Sequence, residues 1–482
     1  MVEQNNNRKK RMIKTAALVL AAVLVYLTAR LWYEGAFLPR WVKWEDTTSV
    51  SNWTTEDHVK VQSMLWADVD QDGEDELLVL CWKIGRFGSH RPFWEKYDPP
   101  VWSQHIFVYK YSKKSEKYRP LWMASNIGVD ACNWKYDEVH HRLLIEDPDG
   151  QVTAWIWPSW GFEQIDTEIS FVAVGDNLIH QNIYEYALEN TEGNFDFLFS
   201  NVKKDIEEAD IAIINQETIL VDEEELYGDY PAFGTPVSMA ESLKSAGFDV
   251  VTVANNHAYD KGMKGIDTTC SALKNQKLHP VGIQPSDEKE YKPYELLWKN
   301  GLSFAFLSYT EGTNYPLEDY PYAVHMLDDK KRVAEDIKKA ADAADAVIVC
   351  VHWGTEDSPV ISDSQREWTE FFRENKVDVV IGTHPHVLQD YELLVREDGE
   401  PMLVYYSLGN FMSAQQDINN VIGGMARFNM KMTMDGVIVT DGELEKLITH
   451  QASDGYTTYK LADYTEELAS KHRLKPDVEL IP

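Results

Sequence analysis

ISFVAVGDN, residues 169–177, is a near-continuous apolar run of strand length that stops at Gly175-Asp176-Asn177. An apolar strand without in–out alternation belongs in a sheet covered on both faces. The same grammar recurs down the chain. DIAII (210–214) leads into Asn215-Gln216-Glu217-Thr218, DVVTVA (249–254) into Asn255-Asn256-His257, and AVIVCV (346–351) into His352-Trp353-Gly354. DVVIG (378–382) leads into Thr383-His384-Pro385-His386, and MLVYYS (402–407) into Leu408-Gly409-Asn410-Phe411. SFAFLSY (303–309) is a further run. Segments with helical periodicity lie between them, at about 195–208, 237–247, 263–276, 330–344 and 363–375. Strands alternating with helices predict an α/β fold built on βαβ units. It begins at residue 168 and closes near residue 450 with the strands FNMKMTM and GVIVTDGELEKLITHQ.

The strand ends carry the chemistry, because ligands bind at the carboxyl edge of α/β sheets. A single His after a strand is most simply a hydrogen-bonded structural residue. Asp, Glu, Asn and several His delivered by six strands are too many for turn chemistry alone. Carboxylate, amide oxygen and imidazole together suit Mn, Zn or Fe rather than Ca²⁺ or a thiolate-held ion. His384 and His386, two apart around Pro385, are predicted in extended backbone and on one side of it, a clip for adjacent ions. Glu217 or Asp176 has the chemistry to bridge a pair, and two ions about 3.5–4 Å apart favour in-line displacement at phosphorus. His257, beside Asn256, is then placed to protonate a leaving group.

GDNLIH, NQET, ANNHAYDKG, VHWGTE, GTHPHVLQ and YSLGNF follow one another in that order. As a set they resemble the CapA family of capsule and poly-γ-glutamate biosynthesis, whose domain is related to calcineurin-like metallophosphoesterases. The resemblance covers about residues 168–425. It implies a metallophosphoesterase-like layered α/β sandwich holding one or two divalent transition ions. Asp176, Glu217, Asn256, His352, His384 and His386 would be the ligands and His257 the acid. Asn255 and Asn410 would support the site or touch substrate. The resemblance also implies a role in making or exporting an anionic polymer, alongside other capsule-synthesis membrane proteins. Leu178 departs from the phosphoesterase pattern, which has His two residues after the first Asp, and Glu217 stands where an Asp is usual. His180 is close but at the wrong spacing to substitute. One ion is then short of a ligand, which weighs against ordinary phosphatase activity.

At the N-terminus, Arg8, Lys9, Lys10 and Arg11 precede an apolar run over 12–29, interrupted by Lys14 and extended by Leu31, Trp32 and Tyr33. Basic residues ahead of such a run set the N-terminus in the cytoplasm, and its length approaches the roughly 17–25 residues of a spanning helix. No small-x-small cleavage site follows, which favours an uncleaved signal anchor over a removed signal peptide. The expected layout is a basic cytoplasmic tail at 1–11, a transmembrane anchor at 12–33, a β-rich accessory domain at 45–165, the α/β domain at 168–450 and a C-terminal extension at 451–482. This is a single-pass cell-membrane protein with its bulk outside the cytoplasm.

The accessory region reads as short strands (MLWADV, ELLVLCW, HIFVYKY, RLLIED, VTAWIW) separated by turn signals such as DQDG and DPDG. Asp68, Asp70, Asp72 and Glu76 around Gly73 form a candidate Ca²⁺ loop, the alternative being an acidic turn without metal. Val79 at its twelfth position rules out an EF-hand, and the loop resembles a single copy of an FG-GAP-like β repeat. The Trp-rich stretch 94–160 reads as core of this domain. Lys and Arg total 46 against 79 Asp and Glu, a net charge of −33, which argues against a nucleic-acid partner. Cys81, Cys132, Cys270 and Cys350 make no CxxC and no disulfide framework; a Cys81–Cys132 bridge and four buried thiols both stay open. Three functions fit: a CapA-type polymer synthesis or export component with a hydrolase-type site, a secreted metal-dependent phosphodiesterase or phosphatase, and a non-catalytic surface-binding protein.

Overall fold

The computed structural model describes residues 2–45, 50, 53, 59–88, 91–317, 320–453 and 455–475. The last stretch of the expected C-terminal extension, 476–482, lies outside the described residues. The chain divides into two compact units, Met1–Ile165 and Asp166–Pro482.

The first unit opens with a helix, Val2–Tyr33, that runs unbroken through both the basic segment and the apolar run. Its portion Asn6–Tyr33 is long and apolar enough to cross a membrane and is not buried against the rest of the chain. Two four-stranded antiparallel meanders follow. One is Lys60–Ala67, Glu76–Ile84, Trp102–Ser112 and Lys117–Met123; the other is Asn133–Asp137, Arg142–Glu146, Val152–Ile156 and Glu163–Ile165. Leu78, Leu80, Ile106 and Val108 of the first pack with Trp134, Leu143 and Ile145 of the second. Trp122, Trp157 and Phe162 join edge to face, so part of the Trp-rich stretch is core, while Trp94 and Trp160 stay exposed. All four cysteines are free thiols.

The second unit holds two sheets. The larger has the order His279–Val281, Val250–Thr252, Ile211–Gln216, Glu168–Asn177, Ile422–Met432, Val437–Ala452, Gly455–Lys460, with Asn410–Met412 also paired to Glu168–Asn177. The smaller has the order Glu295–Lys299, Leu302–Thr310, Ala346–His352, Val379–Thr383, Pro401–Tyr405, Tyr391–Val395. In the smaller sheet the inner strands are parallel; the larger is parallel from His279–Val281 to Glu168–Asn177 and antiparallel beyond it. The sheets face each other: Phe171 of one meets Phe304 of the other edge-on at 5.1 Å, and the Tyr405 hydroxyl donates to the carbonyls of Arg427 and Glu443 across the gap. Helices Gln181–Asn190, Met239–Ala246 and Gly262–Asn275 cover the outer face of the larger sheet through Ile183, Leu243, Ile266 and Leu273. Lys330–Ala341 and Asp363–Glu374 cover the smaller through Val333, Ile337, Trp368 and Phe372. The result is the layered α/β sandwich that continuous apolar strands require.

Two expectations need correcting. Residues 195–208 do not form one helix but a 3-10 turn, Asp196–Leu198, and a short helix, Lys203–Glu207. The chain bends there to bury Phe195, Leu198 and Phe199. The segment from 451 is not a separate extension, because Val437–Ala452 crosses that boundary and Gly455–Lys460 pairs with it antiparallel. A mixed polar pattern hid this strand; its buried Thr458 is satisfied by donating to the Phe411 carbonyl at 2.6 Å.

Gly175 marks where the sheet edge meets the loop that follows Pro401–Tyr405. A Cβ there would lie 1.9 Å from the Gly409 carbonyl oxygen, the same oxygen that accepts from the Asp176 amide at 2.9 Å. Gly175→Ala is expected to lower the stability of the second unit by about 1–3 kcal/mol or more, read as a lower urea midpoint of the full chain. Gly312→Ala, where an added Cβ meets nothing within 4 Å, should leave that midpoint in place.

Candidate metal centre

Register places the candidate ligands. Asp176 pairs with Asn215 on one neighbouring strand and with Asn410 on the other. His352 pairs with Thr383 in the second sheet. The carboxyl ends of both sheets thereby deliver their polar residues to one edge. Asp176, Glu217 and His386 form one group of close ligand atoms; Glu217, His352 and His384 form a second. Glu217 belongs to both, the position of a bridging carboxylate.

Glu217 is fully buried, and neither of its carboxylate oxygens has a hydrogen-bond partner among the described residues. Nε2 of His352 at 3.5 Å and Nε2 of His386 at 3.7 Å face its Oε1, too far for a hydrogen bond. Burial, and then the Asp176 charge, push the Glu217 carboxyl well above its ordinary range. Burial also works against a charge on His386, but the Glu217 and Asp176 carboxylates outweigh it and raise the imidazole to about 10. The pocket demands positive charge.

His352 shows the same demand from the ligand side. Its Nδ1 lies 3.0 Å from Thr383 Oγ1, whose hydroxyl oxygen can accept that N–H. Its Nε2 then faces Asn256 Oδ1 and His384 Nδ1, both at 3.0 Å, as well as Glu217. With its proton on Nδ1, the ring brings an Nε2 lone pair against the acceptors Asn256 Oδ1 and Glu217, and a cation among them would satisfy all three. Burial, then His384 and His386, hold the His352 pKa well below its ordinary value, so the ring is neutral and its lone pair available. An orphaned buried carboxylate among convergent imidazole and amide acceptors fits a divalent transition ion.

The remaining predicted residues divide into two groups. His257 is buried beside the cluster, with Nδ1 2.7 Å from Asp260 Oδ2 and 3.1 Å from Asn314 Nδ2. Asn255 braces the loop: its Nδ2 donates to the Gln216 carbonyl and its Oδ1 accepts from the His257 amide. Asn410 Oδ1 accepts from His386 Nδ1 at 3.1 Å, and its amide nitrogen donates to Ser413, Gln415 and the Asn420 carbonyl. Both asparagines are completely buried; Asn410 meets the His386 ring, and Asn255 meets the backbone on either side of the turn. Asp176 is held by Asn215 Nδ2 at 2.7 Å and the His384 amide at 3.2 Å.

The extended backbone expected at His384-Pro385-His386 is not what forms. Both histidines have positive φ, 98° and 59°, because the chain turns sharply once Val379–Thr383 ends. Non-glycine residues in that region carry strain and cluster at functional loops. The turn sends His384 to His352 and His386 to Asp176, with ring centroids 6.0 Å apart. Sequence reasoning missed Glu356, exposed and grouped with His384 and His386. It closes the VHWGTE motif, four residues after His352, and that spacing was the available signal. Asp260, Thr383 and Asn215 were also missed, since each acts only through a neighbour. His180 joins neither ligand group; its Nδ1 accepts from the Ala414 amide, and its ring packs on Phe233.

In the first unit, Asp68 accepts from the amides of Asp72 and Gly73. The Lys110 ammonium lies 2.6 Å from Asp70, 2.6 Å from Asp72 and 3.0 Å from Glu76. The acidic loop is thus already faced by a protein cation from a strand some forty residues on. Asp68, Asp70 and Glu76 still present close ligand atoms.

Residues 170–415, just over half of the chain, match the family described as bacterial capsule synthesis protein PGA_cap. The chain is 29% identical over 259 residues to the capsule biosynthesis protein CapA of Bacillus anthracis, covering 52% of this chain and 60% of that protein. It is 30% identical over 198 residues to the PGA biosynthesis protein CapA of Bacillus subtilis, covering 40% of this chain and 50% of that protein. The matches therefore span only about half to three fifths of these relatives. Among solved structures, the calcineurin-like phosphoesterase YfkN from Bacillus subtilis is similar at a TM-score of 0.36 and 15% identity, over 58% of this chain and 90% of that one.

An orphaned buried carboxylate destabilises a protein unless a cation answers it. In chelator, Glu217→Gln is expected to unfold at a higher urea concentration than wild type, a gain of about 1–3 kcal/mol. With Mn²⁺ the order should reverse, because only wild type gains from the ion. Identical midpoints for the two proteins in chelator would remove the argument for a cation at Glu217.

Proposed function

Because the chain belongs to the bacterial capsule synthesis protein family PGA_cap, we propose that it acts in making or exporting an anionic capsular polymer of the poly-γ-glutamate kind, as a membrane-anchored protein with its bulk outside the cytoplasm. Asn6–Tyr33 is the anchor in this proposal, with Arg8, Lys9, Lys10 and Arg11 on the cytoplasmic side. The α/β unit performs a metal-dependent, hydrolase-type step on the polymer or a precursor of it. Glu217 carries the proposal: a completely buried carboxylate with both oxygens unbonded, shared by two ligand groups.

In this reading Asp176, Glu217 and His386 hold one ion, and Glu217, Asn256, His352 and His384 hold another. Bound there, divalent ions supply Lewis-acid stabilisation of negative charge on the substrate. The chain's own residues do the rest. Thr383 fixes the tautomer of His352 by accepting at Nδ1, and Asn410 fixes the ring of His386. Asp260 accepts from His257 Nδ1, which leaves Nε2 to give a proton to the leaving group. Leu178, buried at 3% exposure, puts an apolar side chain two residues after Asp176 and favours polymer processing over an ordinary phosphatase.

Metal analysis of the purified full chain tests the proposal. Wild type should carry near-stoichiometric Mn, Zn or Fe, and His384→Ala/His386→Ala should lose it. His257→Ala should keep its metal and lose about 10²–10⁴-fold in hydrolytic rate. Folded wild type that takes up no transition metal when supplied with it would end the hydrolytic reading and leave an assembly role.

A further inference from the structure

Where the apolar helix ends, its last turn is tied to the β meander: the Trp102 indole Nε1 donates to the Trp32 carbonyl at 2.8 Å. Trp102 begins the strand that follows the long connection after Glu76–Ile84. The end of that connection, 91–101, is unlike the rest of the unit. Phe93 is 94% exposed, Trp94 67% and Tyr97 65%, and the Phe93 and Trp94 rings meet edge to face at 4.8 Å without covering each other. Phe37 and Trp44, just beyond the helix, are also exposed. The loop is shaped by its own bonds: the Arg91 guanidinium donates to the Lys96 carbonyl, and the Glu95 amide donates to the Pro92 carbonyl. Charge is locally less acidic here: Arg91 and Lys96 balance Glu95 and Asp98 within the loop, and Lys83 and Arg86 just before it leave 83–101 with a basic excess, in a chain with 46 basic and 79 acidic residues.

We propose that 91–101 is a second membrane contact, seated in the headgroup layer of the leaflet from which the helix emerges and selective for anionic phospholipid. The inference rests on the anchor reading given above. Trp and Tyr favour the interface because their rings are apolar and their N–H or O–H is polar. Arg and Lys among them meet lipid phosphate. Large apolar residues clustered in water mark an interaction surface, and the Trp102–Trp32 bond ends the loop at the level where a span would leave the bilayer. Such a contact would hold the accessory unit against the membrane rather than let it swing on a tether.

Nitroxide labelling of the full chain, in a Cys132→Ser background and in phosphatidylcholine nanodiscs with or without phosphatidylglycerol, tests this. Labels at Leu24→Cys, Tyr97→Cys and Val139→Cys report the helix, the loop and an exposed site in the same unit. The expected result is nickel shielding at 24 and, more shallowly, at 97, with 139 open. Shielding at 97 should be several-fold stronger with phosphatidylglycerol and lost in Phe93→Ser/Trp94→Ser. A shielded 24 with 97 as open as 139 overturns the loop contact and leaves the anchor standing. An open 24 overturns the anchor and this inference with it. Equal shielding at 97 in both lipids overturns the selectivity for anionic lipid.

Discussion

A carboxylate sealed from water with no donor on either oxygen costs several kcal/mol, and a fold keeps such a group only when a cation offsets its charge or a proton removes it. Glu217 is that group in this protein, and the rest of the α/β unit is arranged around it. It follows a strand whose six residues are all buried, so it cannot reach solvent. Asp176 beside it raises the cost. The imidazoles of His352 and His386 approach without hydrogen-bonding to it. Two buried acids ringed by three imidazoles are the arrangement on which the proposal of a metal centre rests.

The two-sheet architecture makes this balance achievable. One sheet supplies the acids and the Asn255-Asn256-His257 turn, and the other supplies His352, His384 and His386. Neither sheet has a complete ligand set. Close packing between Gly175 and Gly409 and between Phe171 and Phe304 fixes their spacing. Substitutions at that seam should therefore be felt at the ligands through geometry, without any change in ligand chemistry. The buried asparagines serve the same end, Asn410 against the His386 ring and Asn255 against the backbone of the turn.

The accessory unit follows a different logic. Its acidic turn is faced by Lys110, a covalently supplied cation that meets three of its carboxylates. Its indoles are divided between a core of edge-to-face contacts and an exposed set near the apolar helix. A protein this acidic is repelled by an anionic surface as a whole; the aromatic stretch at 91–101, with as many basic as acidic residues and with Lys83 and Arg86 just before it, is a local exception.

Much of this was legible in the sequence because the relevant physics is local. Continuous apolar strands gave away sheets covered on both faces, and an apolar run after Arg8–Arg11, interrupted by Lys14, gave away a helix able to span a membrane. The succession of Asp176, Glu217, Asn256, His352, His384 and His386 at strand ends gave away a shared edge, since parallel strands end on the same side. The sequence could not say that His384 and His386 part company, because that depends on positive φ at both, set by how the loop must turn between two sheets. Nor could it separate Asn255 and Asn410 from substrate-facing residues, or find Lys110 for Asp70 and Glu356 for His384. Those pairings join residues distant in the chain or across a turn, and only packing decides which of many polar groups share a pocket. Strand and span are written in periodicity; charge balance is written in proximity, and proximity exists only once the chain has folded.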